Sequence, residues 1–191
     1  MKRFLILFAF FTYTVFLQAQ SSYHQESVKI LPVSKLTISG DTNINTFLCD
    51  FNTALLKQSQ NINYKSDESR ISFKNAILTL NNKGFDCGNK GINKDFQLLL
   101  QSEEHPEIRL ELKEIRFTGE SLANAEVIIS IAGEQKNYKV PIEIETSPTA
   151  HYQGVLHLNI RDFELKPPKK LFGLIVLKEE IEIKFNLRVQ K

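Results

Sequence analysis

Through much of this sequence every second residue is apolar, a period that fits a strand and not a helix. Ile108, Leu110 and Leu112 alternate with Arg109, Glu111 and Lys113, and Val127, Ile129 and Ile131 share one face of their segment. Tyr138, Val140, Ile142 and Ile144 alternate with Lys139, Pro141, Glu143 and Glu145. The last run is the longest, with Ile181, Ile183, Phe185, Leu187 and Val189 set against Glu182, Lys184, Asn186 and Arg188. Successive strand side chains point to opposite faces, so each run has a dry side and a wet side, the pattern of antiparallel sheets with one solvated face. Earlier strands are expected around 33–39, 43–52, 70–80 and 155–165. Ser39-Gly40-Asp41, Lys83-Gly84, Gly119-Glu120, Gly133-Glu134 and Ser147-Pro148 read as the turns between them. About eight such strands make an all-β barrel or sandwich, and a closed barrel of that size has no free edges and can hold one ligand.

One stretch breaks the period. From Asn89 to Ser102 the spacing suits a short helix, with Asn93 as its expected cap and Phe96, Leu99 and Leu100 on its apolar side. No internal repeat or second domain is visible.

The first nineteen residues read as an export signal. Met1-Lys2-Arg3 is followed by an almost wholly apolar stretch from Phe4 to Leu17, then by Ala19 as a small residue at the expected cut. The apolar part is too short for a stable membrane span. Residues 1–19 are therefore assigned to a signal peptide and 20–191 to a single domain, placing the protein in the periplasm or outside the cell. Lys2 and Arg3 account for the whole formal charge of +2, and the remaining 172 residues balance 22 basic against 22 acidic side chains. A chain with no net charge has no general attraction for polyanions, so nucleic acid is not expected as a partner. Cys49 and Cys87 form an even pair in an exported chain, which points to one disulfide, with two free thiols as the alternative.

Residues with catalytic or ligating potential are scattered. No histidine lies at ligand spacing from either cysteine, and His24, His105, His151 and His157 are expected to be solvated, so neither metal nor cofactor is expected. Glu143 with Glu145 and Glu180 with Glu182 fall on wet strand faces. The sequence contains no nucleophile elbow, no phosphate-cradling glycine loop and no His-Glu-x-x-His. Arg161 and Asp162 are the residues an enzyme would use at a barrel mouth, but as strand neighbours they would face opposite ways. Lys166-Pro167-Pro168-Lys169-Lys170, with Lys178, forms the one basic cluster, suited to an anionic headgroup or simply to a solvated loop.

Three stretches resemble one family. Ser39-Gly40-Asp41-Thr42-Asn43-Ile44-Asn45-Thr46-Phe47-Leu48-Cys49 is similar to the opening strand pair of YceI-like proteins, especially the exported Bacteroidetes type. Phe85 to Phe96, running on to His105-Pro106-Glu107-Ile108, resembles the segment in which a short helix leads into a His-Pro-x-Ile strand start. Leu158-Asn159-Ile160-Arg161-Asp162-Phe163-Glu164-Leu165, followed by Leu171-Phe172-Gly173, resembles the closing strand and its loop. The usual His-Gly-Val-Thr turn is replaced here by Ala132-Gly133-Glu134-Gln135-Lys136. The resemblance implies a lipocalin-like extended antiparallel β-barrel with a short helix and a tunnel for a polyisoprenoid or another long-chain lipid.

If so, the tunnel is lined by inward apolar residues. From the first half of the chain these are Ile38, Phe47, Phe73, Phe96, Leu99, Ile108 and Leu110. From the second half they are Phe117, Ile129, Ile131, Leu158, Ile160, Phe163, Phe172, Ile183 and Phe185. Burying a methylene gains about 0.8 kcal/mol, so about ten of them supply the free energy of micromolar binding before ordering costs. Such a protein is a carrier and not an enzyme. The alternative is a barrel packed solid by the same residues that acts as an interaction or stress protein without a small-molecule ligand.

Overall fold

The computed structural model describes residues 22–56, 59–146, 149–167 and 176–191. The alternating segments form strands: β1 (His24–Ile30), β2 (Lys35–Thr42), β3 (Thr46–Phe51), β4 (Gln60–Ser66), β5 (Arg70–Asn81), β6 (Phe85–Asp86), β7 (Glu107–Phe117), β8 (Leu122–Ile131), β9 (Glu134–Glu145), β10 (Ala150–Asn159) and β11 (Leu177–Gln190). A single helix, α1 (Lys90–Leu99), lies between β6 and β7 among the described residues. Eight strands close into an antiparallel ring in the order β1-β4-β5-β7-β8-β9-β10-β11 and back to β1, and β2-β3-β6 branches from β11. The protein is an all-β barrel with a short helix.

Strand β11 makes the branch possible. At fourteen residues it is long enough to pair with β2 along its first part and with Lys29 and Ile30 of β1 at its end. Between β1 and β2 the ladder is held by the Leu31 amide, which donates to the Arg188 carbonyl at 2.8 Å, and by the Arg188 amide, which donates to Ser34 Oγ at 3.0 Å. Closure through β1 leaves the ring itself without edges, so that among the described strands only the short branch ends in an edge strand, the two-residue β6.

Register gives the ring two different ends. At one, Leu80, Ile108, Ile131, Leu158 and Ile181 meet the side chains of α1, β2 and β3 in a continuous buried cluster. Phe51, Phe85 and Phe96 meet edge-on and tilted through this cluster, with ring centroids 4.9 and 5.2 Å apart. Cys49 and Cys87 are disulfide-bonded there, joining β3 to the turn before α1. Asn82, 1% exposed, donates from its amide to Ser102 Oγ at 2.9 Å and to the His105 carbonyl at 2.8 Å, tying the end of α1 to β5.

Several sequence expectations are corrected. Ser39-Gly40-Asp41 is not a turn but part of β2: a Cβ at Gly40 would stand 2.6 Å from Ile181 and Phe47, so the missing side chain admits packing rather than a bend. Asn89, not Asn93, caps α1 by accepting from the Gly91 amide, whereas Asn93 accepts from the Cys87 amide at 2.6 Å. The strand expected over 155–165 starts earlier, at Ala150, and ends at Asn159, whose side chain caps a 3₁₀ turn over Ile160–Phe163. Ala132 and Gly133, both at positive φ, make the tight β8–β9 hairpin. The expected signal peptide, residues 1–19, and the Ser147-Pro148 turn lie outside the described residues.

Candidate functional site: an apolar cavity in the barrel

Towards the end of the ring away from α1 the interior is hollow, with a cavity of about 270 Å³. Its wall comes mainly from the inward positions of the ring strands, with Ile77 of the other face of β5 also on the lining. Phe73, Ala76 and Leu78 come from β5, and Leu110, Leu112 and Ile115 from β7. Ala125, Val127 and Ile129 come from β8, Val140 and Ile142 from β9, and Tyr152 and Leu156 from β10. Strand β11 contributes Ile183, Phe185, Leu187 and Val189. The hollow exists because Ala76, Ala125 and Ala150 occupy wall positions that a larger side chain would fill. The walls of this hollow, which opens at its rim, offer water almost no partners, and an engineered apolar cavity of about 150 Å³ stays dry and takes up benzene.

Polar groups gather at one rim. Lys191 Nζ lies 3.1 Å from Glu26 Oε2 and 5.9 Å from the centre of the Tyr64 ring, with Gln60 nearby on β4. The hydrogen bond to Glu26 holds the Lys191 ammonium above the usual lysine range. Burial raises the Tyr152 hydroxyl above the usual phenol range, and no described residue forms a hydrogen bond to it. This rim can meet a small polar head, while the walls can meet only apolar surface.

The expected tunnel residues divide. Phe73, Leu110, Ile129, Ile183 and Phe185 line the cavity. Ile38, Ile108, Ile131, Leu158, Ile160 and Phe163 are buried in the solid cluster at the α1 end, beside Phe96 and Leu99 of the helix. Phe47 packs over Gly40, and Phe117 packs against the cluster without reaching the cavity wall. Phe172 lies outside the described residues. Alternation fixes which face a residue occupies but not its height along the barrel axis, and that coordinate separates the two groups. Sequence reading passed over Tyr152, Glu26, Tyr64 and Lys191; the small residues at positions 76, 125 and 150 were the signal that marked the hollow.

Other candidate groups are engaged elsewhere. Asp162 accepts from the Tyr138 hydroxyl at 2.9 Å, and Arg161 pairs with Glu179. These two residues lie in the 3₁₀ turn, so the argument from strand neighbours facing opposite ways does not apply to them. Lys178 pairs with Asp41 at 3.2 Å, and Lys169 and Lys170 lie outside the described residues. His151, expected to be solvated, is only 7% exposed: its Nε2 lies 2.8 Å from Asn186 Oδ1 and its Nδ1 3.3 Å from Glu145. Gly133 approaches the ring of His105 closely, while His24 and His157 are exposed. Among the described residues no three His, Cys, Asp or Glu side chains gather where they could hold a metal, and no helix is long and apolar enough to cross a membrane.

No protein-family model and no curated protein matches the sequence. Solved structures do. BcnA of Burkholderia cenocepacia is 20% identical with a TM-score of 0.65, the alignment covering 83% of this chain and 96% of that one. A polyisoprenoid binding domain from Saccharophagus degradans, implicated in plant cell wall breakdown, is 11% identical with a TM-score of 0.63, covering 85% of this chain and 97% of that one. At these identities the likeness is one of fold: this chain is a closed antiparallel barrel of the kind found in both.

Proposed function

We propose that this protein binds a polyisoprenoid or a comparable long-chain lipid inside its barrel, as an exported YceI-like carrier without catalytic activity. The observation that carries the reading is the apolar cavity of about 270 Å³ within the ring, with its polar groups confined to one rim. A barrel of eight strands is wide enough to hold one small ligand, and an apolar hollow that water leaves dry gains free energy from an apolar guest. Supporting it at the level of fold is the likeness to a domain described as polyisoprenoid binding. The disulfide suits an oxidising compartment, in line with the signal read at residues 1–19. The absence of catalysis is part of the proposal, and it is supported by the engagement of Arg161 and Asp162 with Glu179 and Tyr138.

Titration with a fluorescent prenyl or acyl probe tests this reading. Saturable uptake at one site, competed by unlabelled lipid, is the expected result. A probe that stays in water would favour the packed interaction protein instead.

A further inference from the structure

The barrel wall has a split between β9 and β10. The two strands pair over only four positions, Glu145 to Ile142 against His151 to Gly154, although each remains paired with its other neighbour well beyond that point. The chemistry of β9 accounts for this. The Ile144 amide donates to Ser121 on the side away from β10, and amides alternate sides along a strand. Odd positions of β9 therefore face β10, and the next donor required after Glu143 would come from residue 141. That residue is Pro141, which has no N–H, so the ladder stops there. Across from it is Val155, and beside that, paired with Ile142, is Gly154, whose absent side chain is replaced by the Phe185 ring: a Cβ at Gly154 would stand 2.7 Å from Phe185 Cζ and 2.7 Å from the Pro141 carbonyl oxygen. Further along, the two strands meet again only through the 3₁₀ turn, where Tyr138 stacks on Phe163 with centroids 6.1 Å apart.

Outside this split lies a groove of about 720 Å³. Outward residues such as Lys139, Val155 and Lys184 line it, but so do Ile142, Leu156 and Phe185, which point inward by strand parity and also line the inner cavity. These three residues are the wall that groove and cavity share, and Ile142 and Leu156 are each only 5% exposed. The β4–β5 side differs. There, too, the ladder is short, but Asn75 bridges it, accepting from the Asn63 amide at 2.6 Å and donating to the Asn61 carbonyl at 3.1 Å.

We infer that the Pro141–Gly154 split is a side portal, with the Phe185 ring as its partition, through which a bound apolar chain passes into the outer groove. This rests on the carrier reading above and extends it to chain length. If about 150 Å³ accommodates the six carbons of benzene, the inner cavity of about 270 Å³ accommodates about ten carbons. A longer chain needs further space, and the outer groove adjoins the cavity through three shared wall residues.

The test uses fatty acids of about ten and about twenty carbons, each with a diazirine at the chain end, on the wild type and on Val155→Trp, which fills the groove from the outside. In the wild type the longer chain binds about tenfold or more tightly and its end crosslinks to residues flanking the split, from 139 to 143 or from 153 to 157. In Val155→Trp the gain with length disappears, while circular dichroism reports an intact sheet. The portal is refuted if the variant keeps the wild-type length dependence, or if the long chain's end labels Tyr64 or Lys191 at the rim or Asn75 at the β4–β5 side. Failure of the shorter acid to bind the wild type would overturn the carrier reading itself, and the portal with it.

Discussion

Phe163 has no exposed surface, stacks on Tyr138 and closes the lower part of the split between β9 and β10. Replacing it with alanine removes a large side chain from a site that cannot collapse, because both flanking strands are fixed by their other neighbours. Urea unfolding of Phe163→Ala should show a loss of about 3–5 kcal/mol. Tyr138 shares the site: burial, with the Asp162 carboxylate beside it, keeps its hydroxyl protonated well above the usual phenol range. Asp67 has a different role, in the β4–β5 turn. Its carboxylate accepts from the Ser69 amide at 2.9 Å, the Ser69 hydroxyl at 2.8 Å and Arg70 Nε at 3.1 Å, which lowers its pKa from 3.8 to about 2. A depressed folded pKa means that the stabilisation is complete above the unfolded value and is lost as pH falls through the folded one. Carbon-detected NMR titration should place the Asp67 midpoint near 2, and in Asp67→Asn the neighbouring Ser69 amide should lose its pH-dependent shift between pH 4 and about 2. A midpoint at the ordinary value would contradict the described turn.

Among the elements, the strands that pack one face on the interior and one on solvent were legible in the sequence. β7, β8, β9 and β11 follow the alternation over most of their length, broken in β7 by a register shift after Leu112 and in β9 by the exposed run Gln135–Asn137. β1 and β4 were not legible, since His24–Ile30 and Gln60–Ser66 each bury a single residue, Val28 and Ile62, and apart from Ile30 and Tyr64 are otherwise polar. They are strands because the ring has to close through them, a requirement that no local pattern carries. The helix was placed correctly and its cap was not: Asn89 and Asn93 are chemically equal candidates, and the tie is broken by the Cys87 amide, which takes the Asn93 side chain. The disulfide couples this helix region to β3 across 38 positions. In the chain-entropy view such a link stabilises by about 3–4 kcal/mol. A Cys49→Ser, Cys87→Ser double variant should unfold at correspondingly lower denaturant, and wild type under reductant should approach it. Equal midpoints for the variant and the oxidised wild type would show that the link constrains nothing.

On the scale of the molecule, the barrel is two bodies in one wall: a solid half under α1 and a hollow half beneath the Glu26–Lys191 rim. The dry faces of the alternating strands were readable, but the boundary between halves was not, because Ile108 in the cluster and Leu110 on the cavity wall share one face of β7. The side chains that separate them are the small ones at 76, 125 and 150. Ala125→Leu is therefore a direct probe of the hollow. Added methylenes should be accepted into it with little change in melting temperature and with lipid uptake reduced at least fivefold, whereas a filled interior would lose about 1–3 kcal/mol to overpacking. The most direct measurement is native mass spectrometry of the protein purified from its producing cells, with the bound material extracted and identified. The account predicts one apolar lipid per chain, absent from Ala125→Leu; a bare protein of unmodified mass that also refuses added prenyl and acyl lipids would contradict it.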